Sequence, residues 1–197
     1  MVKKIIILCF FLSVFSVSAQ IKNNSGRTGL IKADLTFMQS FMLQQKSDNI
    51  FLGGNLEYFA DNYFSVRGDC FWYIDNRQND KIFKQNYIIA FGAIVHLPLG
   101  KSDFYAGIQP ALSLTQPAVN PEITDKQYPL RLLPSFTVSA GYTLYFSRYC
   151  NFFIGVNYLI SRYRGTMSAS VCMDEIMVTG GLGFQINTTK GQLRIKN

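Results

Sequence analysis

Leu132-Leu133-Pro134-Ser135-Phe136-Thr137-Val138-Ser139-Ala140-Gly141-Tyr142-Thr143-Leu144-Tyr145-Phe146 alternates between two chemistries. The even positions, Leu132, Pro134, Phe136, Val138, Ala140, Tyr142, Leu144 and Phe146, are apolar, while Ser135, Thr137, Ser139, Gly141 and Thr143 between them are small or hydroxylated. Side chains alternate across a strand, so this is one long strand with a greasy face and a polar face. The next two stretches repeat it. Phe152, Ile154, Val156, Tyr158 and Ile160 oppose Asn151, Gly155, Asn157 and Ser161, and then Ile176, Val178, Leu182, Phe184 and Ile186 oppose Glu175, Thr179, Gly181, Gly183, Gln185 and Asn187.

Working outward, the same rhythm covers Leu30 to Leu43, Asn49 to Ala60, Tyr63 to Tyr73, Asn86 to Leu97 and Asp103 to Leu114, which makes eight stretches with Leu132 to Phe146, Asn151 to Tyr163 and Glu175 to Asn187. The fourth is the least regular, because Ile88 and Ile94 fall at positions the pattern reserves for polar residues. The links between stretches alternate in length. Asp61-Asn62, Pro98 to Ser102 and Ser147 to Cys150 are short, whereas Ile74 to Gln85, Thr115 to Arg131 and Arg164 to Asp174 are long, and Gln44 to Asp48 is intermediate. Short periplasmic turns alternating with longer external loops are the connection pattern of a transmembrane β-barrel, and they place both chain ends in the periplasm.

Two groups of aromatics sort by height on the apolar face. Tyr58, Phe64, Phe104, Phe146, Phe152 and Phe184 lie toward the expected periplasmic end, and Phe41, Trp72, Tyr87, Phe136 and Tyr158 toward the external end. Two such belts suit the headgroup levels of a bilayer, although a β-sandwich also scatters aromatics through its strands.

The N-terminus fits export. Met1 to Ala19 carries Lys3 and Lys4, the apolar run Ile5 to Phe15, and small residues at Ser16-Val17-Ser18-Ala19 before Gln20. This is the order of a cleavable signal peptide. A membrane anchor is the rival reading, but the run falls well short of the roughly 20 apolar residues a spanning helix needs. Cys9 lies inside that run, too early for a lipid-attachment site. The expected division is a leader at 1–19, a periplasmic segment at 20–28, a barrel at 29–187 and a polar, basic tail at 188–197.

With 197 residues, 48% hydrophobic and 16% charged, the chain suits a single domain. Loss of Lys3 and Lys4 with the leader lowers the formal charge from +7 to +5. The excess is spread over Lys22, Arg27, Lys32, Lys190, Arg194 and Lys196, not gathered on one face, so no nucleic-acid partner is expected.

The fold class expected from these features is all-β: an eight-stranded antiparallel up-and-down transmembrane barrel. The chain resembles the small eight-stranded outer-membrane barrels of Gram-negative bacteria, of the OmpA and OmpX kind, over about Gly29 to Asn187. The most specific piece is Gly181-Leu182-Gly183-Phe184-Gln185-Ile186, which is similar to the final strand those barrels present to the barrel-assembly machinery. Gly181, Phe184 and Ile186 carry that likeness. The chain departs from it by continuing into a polar extension, Thr188 to Asn197, too short for a peptidoglycan-binding domain. The resemblance implies outer-membrane lipid and the assembly machinery as partners, a monomer, and a possible protein partner at the external loops.

Asp34, Glu57, Arg67 and Asp69 fall on the inward face of the first three strands, with Glu57 and Arg67 able to face one another across a hairpin. An eight-stranded lumen is filled by side chains and is too narrow for a general porin, so these charges are expected to form a structural network. A proton or ion path is the functional alternative. His96 is the sole histidine and stands at the expected periplasmic end of the fourth strand, where an interfacial or structural role is expected. Cys70, Cys150 and Cys172 sit at positions too far apart to bridge. No catalytic, cofactor-binding or metal-binding set appears, and Gly180 to Gly183 lacks the strand-to-helix context of a phosphate loop.

Three functions remain open. The first is a nonenzymatic envelope barrel that presents Thr115 to Arg131 and Arg164 to Asp174 for interaction, adhesion or envelope integrity. The second, a secreted lipocalin-like binder of apolar ligands, requires apolar residues inside and polar ones outside. The third is a lipid-A-modifying barrel enzyme, which would have to use His96.

Overall fold

The computed structural model describes residues 26–77, 82–118, 129–164 and 170–188. The leader at 1–19, most of the segment at 20–28, the middles of the three longest links and the tail beyond 188 lie outside the described residues. The strands in chain order are β1 (Leu30–Met42), β2 (Asp48–Phe59), β3 (Phe64–Asn76), β4 (Phe83–Leu99), β5 (Ser102–Pro117), β6 (Arg131–Tyr145), β7 (Cys150–Arg164), β8 (Ser170–Cys172) and β9 (Glu175–Asn187).

The strands run side by side in the order β6, β5, β4, β3, β2, β1, β9, β7, and β6 pairs in turn with β7, so the sheet closes on itself. Every pairing is antiparallel. The three-residue β8 pairs only with the end of β7 and is separated from β9 by Met173-Asp174. The barrel wall is therefore an eight-stranded up-and-down barrel, and among the described residues there is no helix. Closure leaves no sheet edge, the one sheet arrangement that a hydrocarbon solvent tolerates.

Two kinds of connection follow from local chemistry. At the end of the barrel where β1 begins and β9 finishes, Asp61 Oδ1 accepts from the backbone N–H groups of Tyr63 at 2.6 Å and Phe64 at 2.8 Å, which folds the β2–β3 turn around one side chain. The β4–β5 turn is two residues long, with Leu99 opposite Ser102 and Gly100 at φ 67°. Glycine takes that left-handed conformation without the Cβ clash other residues meet. At the opposite end the hairpins run on further. We call these the short-turn end and the long-loop end.

Several strands outrun their expected limits. β3 continues to Asn76, β4 covers Phe83–Leu99, and β5 covers Ser102–Pro117, so the links expected at Ile74 to Gln85, Pro98 to Ser102 and Thr115 to Arg131 are shorter. A ladder needs a partner strand rather than lipid, and polar pairs extend it: Asn86 stands opposite Thr115, whose Oγ1 donates to Asn86 Oδ1 at 2.9 Å. Pro98 stays in β4 because β3 ends its pairing at Val95, leaving no neighbour on that side to miss the absent N–H.

The outward face is apolar. Leu35, Phe37, Leu56, Ile89, Phe91, Ile108, Leu132, Leu182 and Ile186 are all exposed, and Tyr58, Phe64, Phe104, Phe146, Phe152 and Phe184 stand exposed toward the short-turn end. Phe41, Trp72 and Phe136 are exposed toward the other end, where Trp72 and Tyr87 pack with ring centroids 5.7 Å apart. The inner face holds the buried polar residues. A soluble lipocalin-like barrel would have the reverse arrangement, so the faces oppose that reading. Ile88 and Ile94 are fully buried and face inward. Ile88 belongs to an apolar cluster inside the barrel, whereas Ile94 stands opposite Ser65 and fills the space left by Gly107.

Candidate functional site

The lumen has two differently filled halves. In the short-turn half, Lys32 Nζ lies 3.2 Å from Asp34 Oδ2 and 3.3 Å from Glu57 Oε2. Glu57 Oε1 accepts from Ser65 Oγ at 2.6 Å and lies 3.0 Å from His96 Nε2, whose other ring nitrogen is 2.8 Å from Asp103 Oδ2. Arg27, from the segment before β1, closes this end: its Nη1 is 2.9 Å from Asp103 Oδ1, and its guanidinium lies over the Tyr145 ring at 4.9 Å. Deeper in, Arg67 Nε pairs with Asp69 Oδ2 at 3.0 Å, and Gln109 Nε2 donates to the same oxygen at 2.5 Å.

Tyr105 joins the two groups. Its ring receives Arg67 at 5.1 Å and Lys32 at 5.6 Å, and its hydroxyl occupies space that a Cβ on Gly141 or Gly155 would need. Those glycines act as sockets for a large neighbour, which is why the sequence places glycine on the lumen face there.

The four carboxylates Asp34, Glu57, Asp69 and Asp103 thus meet Lys32, Arg67, Arg27 and the His96 ring, and the charges balance when both ring nitrogens carry protons. A buried charge left alone is costly, and a matched, hydrogen-bonded set avoids that cost.

The structure brings the sequence-derived set Asp34, Glu57, Arg67 and Asp69 into one lumen half. Glu57 and Arg67 are opposite each other in the β2–β3 register, yet their side chains reach different partners, Lys32 and His96 for Glu57 and Asp69 for Arg67. Sequence reasoning missed Arg27, Lys32, His96 and Asp103 as members. For Lys32 the signal was present, since it shares the inward parity of Asp34.

Ser65, His96 and Asp103 invite comparison with a nucleophile, base and orienting acid, because Ser65 Oγ lies 2.8 Å from His96 Nε2 and Nδ1 faces Asp103. Two features oppose catalysis. The serine hydroxyl donates to Glu57, and Ser65 and His96 are both buried among side chains with no place for a substrate. Among the described residues no group of three His, Cys, Asp or Glu side chains could hold a metal ion.

The long-loop half is packed with Met38, Phe51, Phe71, Ile88, Leu159 and Met177, together with further apolar side chains around them. Polar strips run along its wall: Ser113, Ser135 and Ser161 hydrogen-bond in sequence at 2.7 and 2.9 Å, and Ser40 donates to Glu175. Cys70 is exposed on the outward side of β3, whereas Cys150 lies at the short-turn end and Cys172 at the long-loop end, and all three are free thiols.

Gly181, Phe184 and Ile186 lie on β9, which joins β1 to close the wall. Phe184 and Ile186 point outward, and Gly181 faces Thr36 across that junction.

No protein-family model matches the chain, and no curated protein matches it in sequence. Solved structures match in fold. The outer membrane protein OprG from Pseudomonas aeruginosa superimposes with a TM-score of 0.61 at 12% identity, covering 82% of this chain and 97% of that one. Neisserial surface protein A gives 0.59 at 13% identity, covering 83% and 99%. The N-terminal β-barrel domain of Pseudomonas aeruginosa OprF gives 0.58 at 15% identity, covering 81% and 98%. At these identities the likeness is one of fold: this chain has the closed eight-stranded architecture of the small outer-membrane barrels.

Proposed function

We propose that the protein is a nonenzymatic outer-membrane barrel whose lumen is a structural plug and whose activity lies in the segments at the long-loop end. The observation that carries this reading is the filling of the lumen. A network of paired charges occupies one half and an apolar cluster edged by hydrogen-bonded polar strips the other, so buried side chains take up the lumen of the described residues. An apolar outer wall with aromatic belts supports residence in a bilayer, and loops on a rigid scaffold are where binding residues concentrate. The loops at 115–131 and 164–174 would then meet a protein or surface partner, in adhesion or envelope integrity. The leader at 1–19 would direct export, and Gly181, Phe184 and Ile186 on β9 would serve recognition by the assembly machinery.

Fractionation with a heat-modifiability gel tests the placement. A band in the outer-membrane fraction that shifts on boiling is expected, and recovery in the soluble periplasm without a shift would sink the reading. Replacing residues 119–128 and 165–169, which link the strands, with short Gly/Ser turns should keep that shift while abolishing surface attachment.

A further inference from the structure

Glu175 is the buried carboxylate that the charge network leaves out. Among the described residues five carboxylates are buried, and four of them meet a cation: Asp34 and Glu57 meet Lys32, Asp69 meets Arg67, and Asp103 meets Arg27. Glu175 is fully buried in the other half of the lumen, and among the described residues no lysine, arginine or histidine side chain pairs with it. Its polar neighbours are neutral. The Ser40 hydroxyl lies against Oε2 and the Asn49 amide is beside the carboxyl, while Oε1 has no aligned hydrogen bond.

The elements around it supply no compensating charge. β1 and β7 place Met42 and Leu159 opposite Glu175 in the ladder, and β3 faces it with the buried phenol of Tyr73. The other ionisable groups nearby are Tyr163 on β7, Arg131 on β6, which lies over the Tyr163 ring at 5.9 Å, and Asp174, whose Oδ1 accepts from the Ser161 N–H at 3.1 Å. Asp48 on β2 is partly exposed and Asp75 on β3 exposed, and among the described residues β4 and β5 bring no ionisable side chain into this half. Ionising a carboxyl in such surroundings costs far more than keeping it neutral. Glu175 also stands outside the hydrocarbon span, because Ile176 is already level with Phe41 and Tyr158 of the external aromatic belt.

The chain just before Glu175 is tied down on both sides. Leu43 N–H donates to the Asp174 carbonyl at 3.1 Å, Met173 N–H to the Ser161 carbonyl at 2.8 Å, and Gln45 Nε2 to the Cys172 carbonyl at 2.7 Å. These bonds hold β8 and residues 173–174 between β1 and β7. We propose that Glu175 is a proton-operated latch at the long-loop end: the neutral acid packs in the lumen and keeps β8 and residues 173–174 docked, and release of its proton to bulk water drives the carboxylate outward and frees them. The bearing of this latch on function rests on the reading above that the interacting segments lie at this end.

Hydrogen exchange on the whole protein in nanodiscs across a pH series, with each rate referred to an unstructured amide at the same pH, tests it. The amides of Leu43, Ser161 and Met173 should lose protection by about tenfold per pH unit above the ordinary glutamate range of about 4, the slope of one proton, and level off once the buried acid ionises. The ladder amides of the β5–β6 seam should not follow. Glu175→Gln, a neutral isostere, should give a flat profile at all three amides. Ser40→Ala removes a donor that favours the carboxylate, so its profile should level off at higher pH; it also decides the matter if Glu175→Gln does not fold. In mildly acid solution, where an exposed glutamate is ionised, the infrared difference between wild type and Glu175→Gln should show the carbonyl stretch of a protonated acid. A Glu175→Gln or Ser40→Ala profile identical to the wild type overturns the latch. So does a carboxylate band whose loss tracks added sodium or calcium chloride, which would assign a metal cation in place of the proton. Surface attachment that survives replacement of residues 119–128 and 165–169 overturns the functional reading and leaves the exchange profile of the latch intact.

Discussion

The two halves of the lumen have the same job of filling a narrow barrel, and they do it by opposite means. The short-turn half uses matched charges around Lys32, Glu57, His96 and Asp103, tied across the barrel by short contacts. The long-loop half uses methionine, aromatic and aliphatic side chains around Phe51, Ile88 and Met177. The comparison teaches that strand alternation specifies which side chains enter the lumen but not how they satisfy one another there. Charges demand a partner of opposite sign in one particular geometry, while apolar groups demand only volume. The halves should therefore fail differently when altered.

The largest effect is expected where one charge is removed and its partners stay. Lys32→Met leaves Glu57 and Asp34 facing each other without their shared cation and should destabilise the barrel by about 3–5 kcal/mol, read as a lower urea midpoint of the heat-modifiable form. In the other half, Leu159→Ala should cost roughly 2–5 kcal/mol by opening a cavity, and Leu159→Met should recover most of it. A charge site admits no such approximate replacement: Lys32→Arg must crowd a planar fork into a place shaped for an ammonium. If both conservative variants were equally well tolerated, the contrast between geometry and volume would be lost.

A smaller loss is expected inside the charged half, where Tyr105 bridges its two groups. Gly141→Ala places a Cβ against the Tyr105 hydroxyl and the Ile154 carbonyl and should cost about 1–3 kcal/mol. Tyr105→Phe in the same chain should return part of that stability. The smallest effect is expected from chemistry aimed at Ser65. A fluorophosphonate should not label it in the folded barrel, and labelling abolished by Ser65→Ala would show that the Ser65, His96 and Asp103 arrangement is reactive after all.

Much of this architecture is legible in the sequence because period-two alternation is a local property. Leu132 to Phe146 alone assigns two faces, and the length of each link orders the strands. The strand ends were less legible, since Asn86 and Thr115 extend a hairpin through a pairing that no single strand announces. The lumen network lay further out of reach. Lys32 meets Thr143 at 3.4 Å across 111 residues of sequence, and Arg27 enters the lumen from a segment that reads as a tether. His96 carries no mark of its two carboxylate neighbours, because Glu57 and Asp103 come from other strands. Ile88 did signal the apolar half, as an exception whose meaning only the closed barrel supplies.

The central claim is that the lumen is filled from end to end. Planar-bilayer recording on protein first shown to be folded by heat-modifiability tests it most directly. The account predicts a silent bilayer with no stable open level, and steady ohmic conductance from the folded barrel would contradict it.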